Sequence, residues 1–136
     1  MEFAITAYRS AGPIQFGMPR ADVRRVLNES VSEFRKSEPS VALTDAFEWC
    51  HVYYKSSELC EAVEFFEPAD PTFMGRKLIG RPFREVREFF QEIDDSIEVD
   101  ESGFISFRYG IGVFVTLLSQ EAPIDGVIVF EDGYYD

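Results

Sequence analysis

Residues 17–24 read GMPRADVR, and residues 80–87 repeat the pattern as GRPFREVR, 63 residues further along the chain. In both copies proline falls where a helix begins, because its missing N–H and fixed φ cost nothing in a first turn. A second match stays near this offset, with AVEFFE at residues 62–67 against GVIVFE at 126–131. Two matches near one offset predict an internal duplication, with repeat units at about 12–68 and 75–136.

Apolar residues recur at steps of three and four over residues 19–35 and 82–93, which predicts two helices with one apolar stripe each. The sequence 68–71, with two prolines, is predicted to join the two halves. Runs of β-branched and aromatic residues predict strands at 41–44, 47–54, 60–66, 104–109, 111–118 and 127–131, with a further candidate at 3–8.

Each unit of about 60 residues would bury little surface alone, so we expect the halves to share one core. The sequence therefore predicts one α+β domain over residues 1–136. In it, a helix-strand-strand-strand unit occurs twice in tandem and forms one antiparallel sheet, with the two helices packed on one face.

The strand at 111–118 indicates which face of the sheet is the core, because its odd positions are all aliphatic. At an offset of 64 the run 47–54 falls on this strand. Trp49 and His51 then share the core face, so we expect Trp49 to be buried and His51 to be a mostly buried, hydrogen-bonded residue rather than a ligand.

The opposite face carries Phe114, Leu118, Ile128 and Phe130, although a face that meets only water should alternate to polar residues. In the first half the same face is predicted to hold Tyr54 and Glu64, among others. Two readings stay open. Either two sheets pack together as a sandwich, or one continuous sheet presents an apolar and acidic surface to another protein.

The charge balance constrains the partners of this chain. It has 13 basic and 25 acidic residues, a net charge of −12, and Arg108 is the last basic residue in a second half that ends EDGYYD. Such a chain is not expected to bind nucleic acid or an anionic membrane, whereas a basic protein fits it. With two cysteines, no apolar run of membrane length and no signal peptide at its start, we expect a cytoplasmic protein.

No motif for catalysis or metal binding is complete in this sequence. Cys50 and His51 are adjacent, so on a strand they point to opposite faces, and Cys60 cannot complete a zinc set. A calcium loop centred on Gly103 has Tyr109 where glutamate is required. We therefore expect no catalytic residue, no metal and no cofactor.

The helix entry IQFGMPRADVR at residues 14–24 resembles that of small bacterial immunity proteins, which are the partners of toxins. It is also similar to the entry of the tandem-repeat beta-lactamase inhibitor proteins. In that family two helix-plus-sheet units lie in tandem, and a concave sheet face grips an enzyme. The resemblance implies a non-catalytic inhibitor that occludes a cognate toxin or enzyme.

These observations give a leading hypothesis and two alternatives. The leading one is an immunity-type inhibitor that holds a basic partner with an acidic, aromatic face. The alternatives are a small-ligand or enzymatic domain with a pocket at Trp49, His51 and Tyr53, and a homodimer closed through the same face. The predicted partner-binding residues are Tyr54, Glu64, Glu101, Phe114, Leu118, Ile128, Phe130, Asp132, Tyr134 and Tyr135.

Overall fold

The computed structural model describes residues 2–28, 31–35, 43–116, 119 and 121–134, and the following statements concern those residues. They form a mixed α+β fold with two helices and two largely antiparallel sheets. The helices are α1 (Arg20–Leu27) and α2 (Phe83–Ile93). The strands are β1 (Glu2–Thr6), β2 (Ser10–Ala11), β3 (Ile14–Gln15), β4 (Ser32–Arg35), β5 (Leu43–Ala46), β6 (Cys50–Tyr54), β7 (Cys60–Phe66), β8 (Asp70–Phe73), β9 (Arg76–Lys77), β10 (Glu98–Asp100), β11 (Gly103–Ser106), β12 (Ile111–Phe114) and β13 (Gly126–Phe130).

The larger sheet has eight antiparallel strands in the order β10-β11-β12-β13-β7-β6-β5-β4. The smaller sheet has the order β3-β2-β1-β8-β9, in which β1 and β8 pair in parallel. Each helix is followed by four strands of the larger sheet, where the sequence predicted three. The expectation of a single sheet was also wrong, because β8 begins within the predicted junction at 68–71 and pairs with β1.

The two helices differ in how well their lengths were predicted. Helix α2 agrees with the predicted range 82–93, whereas α1 ends eight residues before the predicted limit of 35. Asn28 ends α1 in the left-handed conformation, with φ 48° and ψ 45°, and β4 then pairs with β5 over the stretch predicted to be helix. Neither helix in the described part of the chain could span a membrane.

Strand β7 has the predicted bounds. Strands β5 and β13 have the predicted lengths but are displaced by two residues and one residue, and the remaining predicted strands are shorter than predicted. The predicted strand 47–54 begins only at Cys50, after a bend, and the predicted strand 104–109 is Gly103–Ser106. The predicted strand 111–118 ends at Phe114, and its last two positions lie outside the described residues, as do positions 41–42.

The main core lies on one face of the eight-stranded sheet. Both helices and the smaller sheet place their buried apolar side chains there, including Phe3 of β1, Val23 of α1 and Phe90 of α2. Trp49 belongs to this core at 4% exposure, and its ring stacks on Phe65 with centroids 6.5 Å apart. The prediction that Trp49 is buried is confirmed.

Candidate binding face

The other side of the eight-stranded sheet is covered by no helix of the described chain, since both helices pack into the main core. We call this side the outer face. Its small apolar cluster is made of sheet residues, together with two side chains from turns, Tyr8 and Tyr134. The outer face consists of His51, Tyr53, Ala62, Glu64, Phe66, Ile105, Gly112, Phe114, Gly126, Ile128 and Phe130.

Strand pairing arranges these residues in rows across the sheet. The middle row runs from His51 through Glu64 and Ile128 to Gly112 and Ile105, one residue from each of five neighbouring strands. Its β6 and β7 end is polar and its β11 to β13 end is apolar. One continuous surface therefore offers both a carboxylate and apolar contact area.

Two glycines let apolar side chains lie flat on the second half of this face. A Cβ on Gly126 would meet the ring of Phe114 at 2.2 Å, and a Cβ on Gly112 would meet Ile128 at 2.8 Å. The side chains of Phe114 and Ile128 therefore occupy the space above the glycines, and both remain half-buried.

The register expected for the first half was wrong. Strand β6 directs Cys50, Val52 and Tyr54 to the main core, and it directs His51 and Tyr53 to the outer face. The cause is loop length: Val52 pairs with Val63 and Val113 pairs with Val127, so the matching strand positions differ by 61 rather than 64. The two offsets differ by three residues. Because side chains alternate along a strand, an odd shift in alignment moves every side chain to the opposite face.

Three predicted site residues, Glu64, Phe114 and Ile128, are brought together on the outer face. Phe130 also points to this side, but it is only 2% exposed because the rings of Tyr8, Phe107 and Tyr134 pack around it. Phe130 therefore supports the surface from below, and the prediction that it contacts a partner directly was wrong in this respect.

Other predicted site residues lie elsewhere. Tyr54 is 6% exposed and faces the core, so its prediction as a contact residue was wrong. Glu101 and Asp132 are exposed in turns, outside the strands that form the outer face. Leu118 and Tyr135 lie outside the described residues.

The sequence did not assign four contributors to this surface. His51 and Tyr53 were placed on the wrong face. Tyr8 and Phe107 come from turns, where strand alternation gives no information, and Phe107 is 41% exposed. The side chain of Tyr8 donates a hydrogen bond to the carbonyl of Phe107, which fixes the two turns against each other.

Negative charge surrounds the region near Tyr134. Burial raises the pKa of the Tyr134 hydroxyl to about 12, with further contributions from the charges of Glu61 and Glu64. Glu131, three residues before Tyr134, is paired with Lys55 at 2.5 Å between Nζ and Oε1. Tyr134 therefore stays a neutral hydrogen-bonding group beside carboxylates.

Concave regions lie beside the outer face and beside α2. A groove of about 650 Å³ lies beside Tyr8 and Glu131, next to the outer face. A pocket of about 240 Å³ lies between β9 and α2, but its cations are already engaged. Arg81 is held by Glu85 through bonds of 2.7 and 2.6 Å, and the guanidinium of Arg76 lies 4.4 Å from the ring centre of Phe89.

A buried ionic cluster fixes α1 to the sheet. Both oxygens of Asp45 on β5 accept hydrogen bonds: Oδ1 from Arg20 at 2.7 Å and from Arg24 at 2.6 Å, and Oδ2 from Arg24 and Tyr54 at 2.9 Å each. Burial by itself raises the pKa of Asp45, but the bonds from Arg24 and Tyr54 and the charges of both arginines outweigh it and hold the pKa below its ordinary value. Because every member has a partner, we assign this cluster to stability.

The described residues contain no group of three or more metal-ligating side chains. The pKa of the Cys60 thiol is raised to about 12, mainly by burial, so this thiol is a poor nucleophile. The pocket considered at Trp49, His51 and Tyr53 is not assembled, because Trp49 lies in the main core and the other two lie on the outer face.

Comparisons with protein-family models, with curated proteins and with solved structures find no match to this chain.

Proposed function

We propose that this chain is a non-catalytic binding protein of the immunity type, which occludes a basic toxin or enzyme with its outer face. The proposal rests on the residue composition of the outer face. It sets Glu64 beside Ile128 in the middle of a sheet surface over which no described helix packs.

The apolar part of the outer face favours an interface with another protein over a surface that meets only water. Antiparallel sheets that meet water on one side usually alternate to polar residues there. Here Phe66, Phe114 and Ile128 stay half-buried and half in contact with solvent. Aromatic and aliphatic side chains with a polar surround are typical of interface centres.

The charge supports a basic partner. The chain carries −12 overall, and Glu61, Glu131 and Asp132 lie on or next to the strands and turn that border the outer face. Such carboxylates increase the rate of association with a basic surface, while the apolar contacts slow dissociation. Inhibition would then be steric, with the partner's own site covered.

We also propose that the fold arose by tandem duplication, with a helix and four strands in each unit. The register of the central strand pair supports this. At the offset of 64, residues 62–66 correspond to residues 126–130, and they pair in reverse order around Glu64 and Ile128. At equivalent positions, one half has the ion pair of Arg20 and Asp45. The other half has the aromatic pair of Phe83 and Phe104, whose ring centroids lie 6.1 Å apart.

We further propose that the protein acts in a bacterial cytoplasm. Cys50 and Cys60 are both buried and form no disulfide, as expected in a reducing compartment. The bacterial origin rests on the resemblance of the helix entry to immunity proteins.

The test is capture of the partner on immobilised protein, followed by calorimetry with the purified partner. We expect a basic protein to bind the wild type, and Phe114→Asp to weaken it by about 2 kcal/mol or more, as for an interface hot spot. Met74→Asp is the matched control, since Met74 is 58% exposed in the turn between β8 and β9, away from the outer face. The control should bind like wild type.

Two results would contradict the proposal. One is equal weakening by both variants, or by neither, with a partner that binds the wild type. The other is a wild-type dimer that Phe114→Asp converts to monomer, which would assign the outer face to a homodimer. Both variants should keep the wild-type unfolding temperature within a few degrees.

A further inference from the structure

Glu64 lies at the centre of the outer face. It pairs with His51 of β6 on one side and with Ile128 of β13 on the other, and its side chain is 21% exposed. A carboxylate enclosed this far loses much of its hydration, so its remaining hydrogen-bonding capacity matters energetically.

The two oxygens of Glu64 are used unequally. Tyr53 donates its hydroxyl to Oε1 at 2.6 Å, and Nδ1 of His51 lies 3.7 Å from the same oxygen. Among the described residues, Oε2 has neither a hydrogen-bond nor an ion-pair partner. A carboxylate oxygen can accept two bonds, so this atom is free for a donor from outside the chain.

Aromatic rings lie next to Glu64 on the outer face. Phe66 follows Glu64 on the same side of β7, and the ring of His51 meets Phe66 edge-on with centroids 4.9 Å apart. Tyr53 meets His51 edge-on from the other side, at 6.5 Å. Planar rings beside a fixed carboxylate suit a guanidinium group, which combines hydrogen bonds to the carboxylate with stacking on the rings.

We propose that Glu64 is the subsite for an arginine side chain of the partner, whose guanidinium donates to Oε2 and packs against the half-buried ring of Phe66, while the buried Tyr53 holds Oε1. This inference rests on the proposed function and names the group that the outer face recognises. A lysine ammonium would gain less here, because it offers no planar surface to the rings. Ile128, which faces Glu64 across the strand pair, supplies apolar contact only, so among the described residues of the middle row Glu64 is the carboxylate.

The experiment is an NMR titration of the ¹⁵N-labelled protein with Nα-acetyl-arginine amide. The matched probe is Nα-acetyl-citrulline amide, which has nearly the same shape and no charge. We expect saturable shifts centred on the amides of His51, Tyr53, Glu64 and Phe66 with the arginine compound, and none with the citrulline compound.

Two variants test the role of Glu64. Glu64→Gln keeps the shape of the side chain and should weaken arginine binding at least tenfold. His51→Lys keeps the carboxylate but adds a competing cation beside it, and should weaken binding to a similar degree. Glu101→Gln removes an exposed carboxylate in the turn between β10 and β11, and should change the affinity less than twofold.

The inference is overturned if the citrulline compound binds equally, if Glu64→Gln binds like wild type, or if no saturation occurs. Its failure is distinguishable from that of the proposed function. If Phe114→Asp abolishes partner capture while the arginine titration is negative, the outer face is the binding site but Glu64 is not an arginine subsite. If the arginine titration is positive and Phe114→Asp binds the partner as tightly as the wild type does, the proposed function fails.

Discussion

Asp45 and Arg20 form an ion pair of 2.7 Å in which the side chain of Asp45 is fully excluded from solvent. Helix α1 is thereby joined to β5. The same carboxylate binds Arg24 and Tyr54, and Arg20 also donates to the carbonyl of Leu43 at 2.8 Å. Loss of the carboxylate would leave the buried Tyr54 hydroxyl without its acceptor. Each arginine would lose its buried partner and keep only a more exposed one, Glu58 for Arg20 and Glu33 for Arg24.

Asp45→Ala should lower the free energy of unfolding by about 3 to 5 kcal/mol, as expected when one partner of a buried ion pair is removed. Urea denaturation measures the loss. Asp22→Ala is the control, because Asp22 is 38% exposed and pairs with the exposed Arg25 at 3.1 Å. That change should cost less than about 1 kcal/mol. A similar small loss for Asp45→Ala would show that the cluster does not stabilise the fold.

The same carboxylate predicts a dependence of stability on pH. The pKa of Asp45 is lowered in the folded state, because the hydrogen bonds and charges of its partners outweigh its burial. Its contribution is therefore complete above the unfolded pKa of about 3.9 and is lost as the pH falls through the lower folded value. Unfolding measured from pH 7 to pH 2 should show a steep loss below about pH 4. Asp45→Asn should reduce this slope, and an unchanged slope would assign it to other carboxylates.

Gly103 is predicted to tolerate no side chain. Its φ is +152°, and a Cβ there would lie 1.9 Å from the carbonyl oxygen of Val113, on the paired strand. Gly103→Ala should therefore cost about 3 kcal/mol or more, through backbone strain together with this clash. Gly75→Ala is the control, since its φ is +77° with no atom within 4 Å, and should cost about 1 to 2 kcal/mol. Equal losses would show that β11 and β12 can separate to make room.

Trp49 should report on the core and not on partner binding. It packs against Phe3 with ring centroids 4.8 Å apart, and it lies in the main core, on the other side of the sheet from Glu64. We expect slow quenching by iodide and little change in its emission when a partner binds. Rapid quenching in the folded protein would contradict this placement.

Salt should act on the rate of partner association more than on dissociation. The net charge of −12 steers a basic partner over distances that salt screens, whereas Phe114 and Ile128 make short-range contacts. Raising the salt from low to high concentration should slow association on the order of tenfold. Stopped-flow measurements decide this. A salt effect confined to dissociation would contradict electrostatic steering.

Parts of the fold could be predicted because local patterns were unambiguous. The apolar and aromatic run over Cys60–Phe66 predicted the bounds of β7, and the stripe of Phe83, Val86 and Phe90 predicted α2. The end of α1 was missed because Val31 and Phe34 continue the helical spacing. The competing strand pairing of β4 with β5 is a contact between distant residues, which spacing does not reveal.

The binding face was predicted for one half and inverted for the other. Alternation was sufficient for Phe114 and Ile128. In the first half, His51 was assigned by alignment with the second half, and the unequal loops reversed its side of the sheet. The hydrogen bond from Tyr53 to Glu64 joins two strands and depends on their register, so no sequence pattern indicated it.

Strand β13 is the eighth strand of the large sheet in chain order, yet it lies in the middle, between β12 and β7. During synthesis, the first seven strands emerge before the one that joins them. Until residues 126–130 are available, β7 and β12 each expose an unpaired edge, and such edges invite pairing with other chains. Nascent chains of this protein are therefore vulnerable to aggregation until this strand is in place.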